Sequence, residues 1–300
     1  MEFGRVTESE IAKVDFSLPL EGARNKRVID KYATESPSQI YIGCAKWGRK
    51  DWVGKIYPKG TKDADFLRIY AKQFSTIELN ATYYRMPNRA QVLHWKDMVG
   101  ADFRFCPKFT DVISHHKQLK DSINETNAFL LAIDAFAENL GPAFLLLPPH
   151  FKPDSFSVLE NYVRSLPTDF SYHIEFRHID WYKPEMLERV LDLFEANNTG
   201  SIITDTSGRR DCAHMQLTNH TAFVRFVGNS LHPTDYSRVD AWIQRLKYWI
   251  DNKLPKIYFF MHQHEELHSP ELCAYTIQQL NKHAGLSIKE PLFVSQQSLF

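Results

Sequence analysis

Cysteine is scarce in this sequence. The four present, Cys44, Cys106, Cys212 and Cys273, lie far apart with no C-x-x-C pair, which excludes a zinc ribbon or a thioredoxin-like redox site. A chain of 300 residues can bury a core without disulfide staples, so the thiols are read as reduced and the protein as cytoplasmic. Glycine is also sparse, at 12 residues, and no G-x-G-x-x-G, Walker A, G-x-S-x-G or H-E-x-x-H pattern occurs. Nucleotide cofactors and serine-triad chemistry lose support accordingly. Net charge is absent, with 36 basic and 36 acidic residues. That argues against a strongly basic, non-specific nucleic-acid binder and makes nucleic acid a less favoured partner. No apolar run approaches the length of a membrane span, and Met1 to Glu10 has no apolar core of a signal peptide, so no membrane partner is expected.

What remains is an ordinary globular composition, 43% hydrophobic and 24% charged. Residues 1–38 stand apart: charges mix with Pro19, Gly22 and Ser36-Pro37-Ser38 without a sustained period. They are read as an irregular extension that wraps the domain or is partly disordered, ahead of one domain over 39–300. From Gln39 onward, short apolar runs alternate with amphipathic stretches. The runs predict strands at Ile40–Gly43, Thr76–Leu79, Phe103–Lys108, Ala143–Leu147, Tyr172–Phe176, Gly200–Thr204, Ala222–Val227 and Lys256–Met261. Several are continuously apolar, as parallel strands buried on both faces require. Between them, Phe129, Leu130, Ile133 and Phe136 make a helical stripe behind Asn124 as N-cap. A second stripe, Leu187 to Phe194, has Pro184 near its first turn. The third runs from Val239 through Trp242, Ile243, Leu246 and Trp249 to Ile250. Eight strands alternating with helices predict a single closed (β/α)8 barrel of the TIM type.

The chemistry is predicted where strands end. Side chains alternate along a strand, so Glu78 and Asn80 share one face while Ile77 and Leu79 take the other; the helix layer takes the apolar pair. Glu175 and Arg177 repeat that grammar, Lys108 ends the third strand, Asp205 follows the sixth and Arg225 lies in the seventh. One buried charge pair would be structural; several strands each contributing a polar end point to a ligand site at the carboxyl-terminal mouth. Glu78, Glu175 and Asp205 are the candidate catalytic carboxylates, for proton transfer. Asn80, Tyr83, Lys108, His115, Arg177, Arg225 and Trp47 are the candidate substrate contacts, with Trp47 in an aromatic first loop that serves as a wall or packs its own small core. His262-x-His264 places two imidazoles on one face, which keeps a divalent metal open as an alternative although no metal ligand is assigned.

The segments Ile42-Gly43-Cys44-Ala45-Lys46-Trp47, Phe74 through Tyr84, Phe103 through Lys108, Leu140-Gly141-Pro142, Glu175-Phe176-Arg177-His178 and Val224-Arg225-Phe226 together resemble the domain-of-unknown-function 72 family. The resemblance runs from about residue 40 almost to the end. It implies a barrel and carries Glu78, Asn80, Lys108, Glu175, Arg177, Asp205 and Arg225 as shared positions, but implies no reaction. Three positions depart from the family pattern: Leu146 stands for a Gln, Val227-Gly228 for His-Gly, and His262-Gln263 for an Asn-Asn type pair. Three readings follow. The first is an enzyme, a hydrolase or lyase, acting on a small or terminal anionic, phosphate-like substrate. The second is a metal-dependent nuclease-like phosphodiesterase, by fold analogy with barrel endonucleases that act on abasic sites. The third is a ligand-binding barrel without catalysis.

Overall fold

The structure, a computed structural model, describes residues 2–294. Met1 and residues 295–300, the end of the domain expected over 39–300, lie outside it. All eight predicted strands are present: β1 (Gln39–Cys44), β2 (Thr76–Leu79), β3 (Arg104–Pro107), β4 (Ala143–Leu146), β5 (Tyr172–Glu175), β6 (Gly200–Asp205), β7 (Thr221–Gly228) and β8 (Lys256–Gln263). Every named pairing is parallel.

The closed (β/α)8 barrel does not form. Six strands make one open half-barrel sheet in the order β1-β8-β7-β6-β5-β4, and β2 pairs with β3 in a separate two-stranded ladder. Both seams have physical causes. Between β1 and β2, one backbone bond remains, from the Ser75 N–H to the Ile42 carbonyl at 3.3 Å, and hydroxyls take the place of the others. The Tyr70 hydroxyl accepts from the Cys44 N–H at 2.7 Å and donates to the Thr76 carbonyl at 2.9 Å. Ser75 Oγ accepts from the Ile42 N–H at 3.0 Å. A Cβ on Gly43 would lie 2.0 Å from the Thr76 carbonyl oxygen, so only glycine lets the strands come this close. Between β3 and β4, the odd-numbered residues of β3 and of the chain just after it face β4: the Phe105 carbonyl accepts from the Gly141 N–H at 2.7 Å and the Phe109 N–H donates to the Phe144 carbonyl at 2.9 Å. Pro107, between them, has no N–H to give. The contact there is reduced to isolated bridges.

Apolar side chains on both strand faces build two cores. Ile77, Leu79, Val224 and Phe226 join the large cluster under the helices. Tyr41, Phe144, Ile202, Phe223, Tyr258 and Phe260 form a smaller one between the strands. The helix Pro184–Ala196 begins on its proline, and in Pro233–Asp251 Trp242, Ile243, Leu246 and Trp249 are all buried. The helix Ile123–Ile133 takes Ser122 as its N-cap, so the expected cap at Asn124 lies inside the first turn.

The strand–helix alternation fails once, between β6 and β7, where only a short 3-10 turn (Arg210–Cys212) intervenes. The extension occupies that gap. It holds a short helical turn, Glu8–Ile11, and the helix Asn25–Tyr32, whose Val28 and Ile29 are buried. Asn25 is fully buried: its amide donates to the Met215 carbonyl at 2.7 Å and its oxygen accepts from the Leu217 N–H at 2.7 Å. On one side Arg24 pairs with Glu188, Asp192 and Glu195 of the helix before β6. On the other, Trp249 and Arg245 of the helix after β7 bind Glu21. The extension therefore wraps the domain, as one of its two readings had it, with two helical segments joined by irregular chain. Asn25→Ala strands two buried backbone groups at a cost of about 1–3 kcal/mol each. Urea unfolding followed by circular dichroism should show a lowered midpoint at unchanged slope; an unchanged midpoint would contradict this docking.

Candidate functional site

Strand alternation delivers charge to the interior at the carboxyl ends of the strands. Arg225 on β7 is its centre. The guanidinium donates from Nε and Nη2 to the two Glu78 oxygens, each at 2.9 Å, and from Nη1 to Glu175 Oε2 at 2.5 Å. Arg177 Nη2 lies 2.9 Å from the other Glu175 oxygen. His262 Nε2 is 2.9 Å from Glu78 Oε2, and its Nδ1 is 3.5 Å from Glu266 Oε1. Asn80 donates to Glu78 Oε1 at 3.0 Å. Below Arg225 sits the Phe144 ring, 5.9 Å from the guanidinium carbon, at the top of the inner apolar cluster.

These groups open onto a cavity of about 650 Å³ lined by Glu78, Asn80, Lys108, Arg177, Arg225 and His262, with Lys46, Arg49, Asp51, His264 and Glu266 around its rim. Burial alone would push the Glu78 carboxyl up; Arg225 and then His262 reverse this and hold it well below the carboxylate range. Glu175 is lowered in the same way, by Arg177 and Arg225 against its burial. The His262 imidazole is raised despite burial, because Glu78 and Glu266 flank it. Lys108 is pulled down to about 8, first by burial and then by Arg225. Its ammonium rests 4.0 Å over the Tyr83 ring.

Not all the predicted site residues meet here. Glu78, Asn80, Lys108, Glu175, Arg177 and Arg225 do. Tyr83 and His115 stand behind Lys108, ring against ring at 5.2 Å, with His115 pushed down to about 4 by burial and by Lys108. Trp47 is not part of the cavity wall; it packs edge-on to Trp95 at 6.0 Å, and the first loop builds its own core around the buried Trp52. Asp205 is also elsewhere. It points into the helix layer, where Arg238 binds it at 2.8 Å, Trp242 Nε1 at 2.7 Å, and Arg210 closes the set. Burial opposes its ionisation and Arg238 with Arg210 restores it. Sequence reasoning passed over Lys46, Arg49 and Glu266. Lys46 carried a readable signal, since it follows β1 as Lys108 follows β3.

The donor set does not suit a metal. The position between Glu78 and Glu175 is filled by a guanidinium, Asp205 is committed to Arg238, and among the described residues no group of three or more His, Cys, Asp or Glu could hold one. No helix among the described residues is long and apolar enough to cross a membrane.

A model of the family described as Protein of unknown function DUF72 matches residues 41–296. The chain belongs to this family. It is 28% identical over 280 residues to the UPF0759 protein YecE of Escherichia coli (strain K12), covering 87% of this chain and all of that protein. The UPF0759 protein YunF of Bacillus subtilis (strain 168) is 27% identical over 165 residues, 52% of this chain and 57% of that one. Among solved structures, a DUF72 family protein of Enterococcus faecalis V583 superposes with a TM-score of 0.63 at 18% identity, over 83% of this chain and 99% of that chain. One from Thermotoga maritima MSB8 gives 0.61 at 20%, over 82% and 100%. These similarities establish family and fold.

Of the positions expected to depart from the family pattern, His262 lines the cavity, while Leu146, Val227, Gly228 and Gln263 are not part of its lining. His262 inserts between Glu78 and Glu266, Gln263 accepts from the Ser230 N–H at 2.6 Å, and a Cβ on Gly228 would lie 2.5 Å from the Gln263 amide. Leu146 is buried apolar surface. The extension, which lies outside the matched residues, reaches the same place. The Phe3 ring covers the Arg177 guanidinium at 3.5 Å, fixed by Thr206 donating to the Phe3 carbonyl and Gly208 donating to the Gly4 carbonyl.

Two predictions follow from this geometry. Glu78 and Glu175 are held below their ordinary value of 4.5. Their contribution to stability is present above that pH and is lost as pH falls through their folded values. His262 is held above 6.5, so its contribution is full below 6.5 and is lost as pH rises through its folded value. Urea midpoints measured across about pH 3 to 9 should therefore fall on both sides, and His262→Gln should flatten the alkaline side only. Persistence of the alkaline loss in that variant would refute the assignment. Second, Phe3→Ala should speed modification of Arg177 by phenylglyoxal severalfold, read by peptide mass mapping. An unchanged rate would mean that the extension does not shield the site.

Proposed function

We propose that the cavity binds a small organic anion, a carboxylate or phosphate, and that the protein is an enzyme acting on it. One observation carries the reading. Arg177 lines the cavity, is largely buried, and its Nη1 has no hydrogen-bond partner among the described residues. A buried guanidinium nitrogen left unpaired is costly, and an anionic oxygen is the partner that best relieves it. The charge pattern agrees. Arg225 and Arg177 are balanced by Glu78 and Glu175, His262 is balanced by Glu266, and Lys108 makes no ion pair among the described residues. The cavity thus faces a ligand with surplus positive charge.

In this reading Glu78 and Glu175 work as counter-ions. Their oxygens are taken by Arg225, Arg177, His262 and Asn80, and carboxylates held below 4.5 are weak bases at neutral pH. They fix Arg225 and Arg177 in place, a pre-organisation that a flexible cation would lack. Proton transfer falls instead to groups nearer neutrality, Lys108 first among them. Calorimetric titration with inorganic phosphate and with acetate should show binding to the native chain. Arg177→Ala should weaken it about 10- to 100-fold, as expected for loss of a charged hydrogen bond. Glu175 keeps Arg225 in that variant, so the fold should survive. Failure of both anions to bind the native chain would sink the proposal.

A further inference from the structure

We propose that Lys108 forms an imine with the carbonyl carbon of a small carbonyl-bearing anion whose carboxylate or phosphate is held by Arg177. This rests on the anion-binding reading above and names its substrate class.

The geometry singles out this amine. Lys108 follows β3, and its backbone is fixed on both sides: its N–H donates to the Leu79 carbonyl at 3.2 Å and its carbonyl accepts from Thr82 Oγ1 at 2.7 Å. The side chain projects into the same cavity as Arg177 and Arg225, and its nitrogen has no carboxylate partner among the described residues. A lysine wanted only for its charge is poorly served here, since burial and two guanidinium groups work against the ammonium. A lysine wanted as a nucleophile gains the free amine, and desolvation beside other cations is the known physical route to it. The groups that face it are Arg225 from β7, Arg177 and Glu175 from β5, Glu78 from β2, Tyr83 after β2, and His115 after β3. The Tyr83 ring, Glu78 and Glu175 favour the ammonium; burial and the two arginines outweigh them and bring the amine to about 8. Near neutrality roughly a tenth is then uncharged and able to attack. Lys46, the other lysine at the cavity, is exposed and stays hydrated.

The step balances without an outside reagent. The amine lone pair forms the C–N bond and the carbonyl oxygen takes up protons and leaves as water. The net change is ammonium plus carbonyl to iminium plus water. Arg177, next to Lys108 in the cavity wall, would hold the anionic end of the substrate while the carbonyl meets the amine.

The full chain should be incubated with pyruvate or with dihydroxyacetone phosphate in the presence of sodium borohydride, and then mapped by mass spectrometry. The expected result is one reduced adduct on Lys108 with at least one probe, its formation rising with pH to half-maximum near 8. K108R should form no adduct. Absence of an adduct with both probes overturns the imine. So does an adduct spread over exposed lysines such as Lys46 and undiminished in K108R. Phosphate titration of the native chain separates the two ideas. Retained phosphate binding without adduct removes the imine alone. An adduct on Lys108 without phosphate binding removes the Arg177 anion site and leaves the imine. Loss of both removes both.

Discussion

The guanidinium of Arg225 holds together parts of the molecule that the hydrogen-bond ladder leaves apart. β2 is paired only with β3, in a ladder separate from the six-stranded sheet that contains β5, β7 and β8. Across that division Arg225 on β7 grips Glu78 on β2 through two hydrogen bonds, and His262 on β8 adds a third contact to the same carboxylate. Its remaining nitrogen binds Glu175 on β5. All these groups are nearly inaccessible to water, so each charge is stable only through the others. Removing one member of such a buried set costs about 3–5 kcal/mol, since it leaves an uncompensated charge. An apolar set of the same volume would close the interior more cheaply. The charges therefore point to a role for the cavity above them rather than to stability alone.

Strand positions and the inward face were legible because hydropathy and the two-residue period carry that information. Glu78, Glu175, Arg177 and Arg225 were placed on the interior by alternation with Ile77, Leu79, Phe176 and Val224, and they meet there. The same rule, applied to β6, puts Ile202 in the inner cluster and Asp205 on the opposite face with Ile203, where Arg238 and Trp242 receive it. The polar end of that strand invited a site assignment that its parity does not support. Closure was not legible. The Tyr70 and Ser75 hydroxyls standing in for ladder bonds, and the missing donor at Pro107, leave the apolar pattern of the strands unchanged. Ring closure depends on backbone pairing that hydropathy does not encode.

How the extension wraps the domain was not legible, for a related reason. Its helix Asn25–Tyr32 is short and largely polar, and its buried anchors, Arg24 and Asn25, are hydrophilic residues. Such anchors become recognisable only against their partners: the uncovered backbone of Met215 and Leu217, and the acidic face of the helix Pro184–Ala196. The absence of a helix between β6 and β7 is the complementary signal. A 15-residue interval, residues 206–220, lacking an apolar helical stripe leaves the layer incomplete, and another segment has to cover it.

Covering that gap also carries the chain to the cavity. From the helix Asn25–Tyr32 the extension runs back past the helix Pro233–Asp251 to the end of β6, where Phe16 lies over Arg238 and Phe3 over Arg177. The arginine with the unpartnered nitrogen is therefore walled on one face by a segment outside the matched family domain. That wall also limits access to the guanidinium groups. With Phe3 over Arg177 and Phe144 beneath Arg225, the two guanidinium groups are largely buried, and both act against the ammonium of Lys108. The carboxylates that could restore the ammonium of Lys108 are already bound to those arginines. The pairing that stabilises the interior thus leaves the lysine at its edge without a direct ion pair among the described residues.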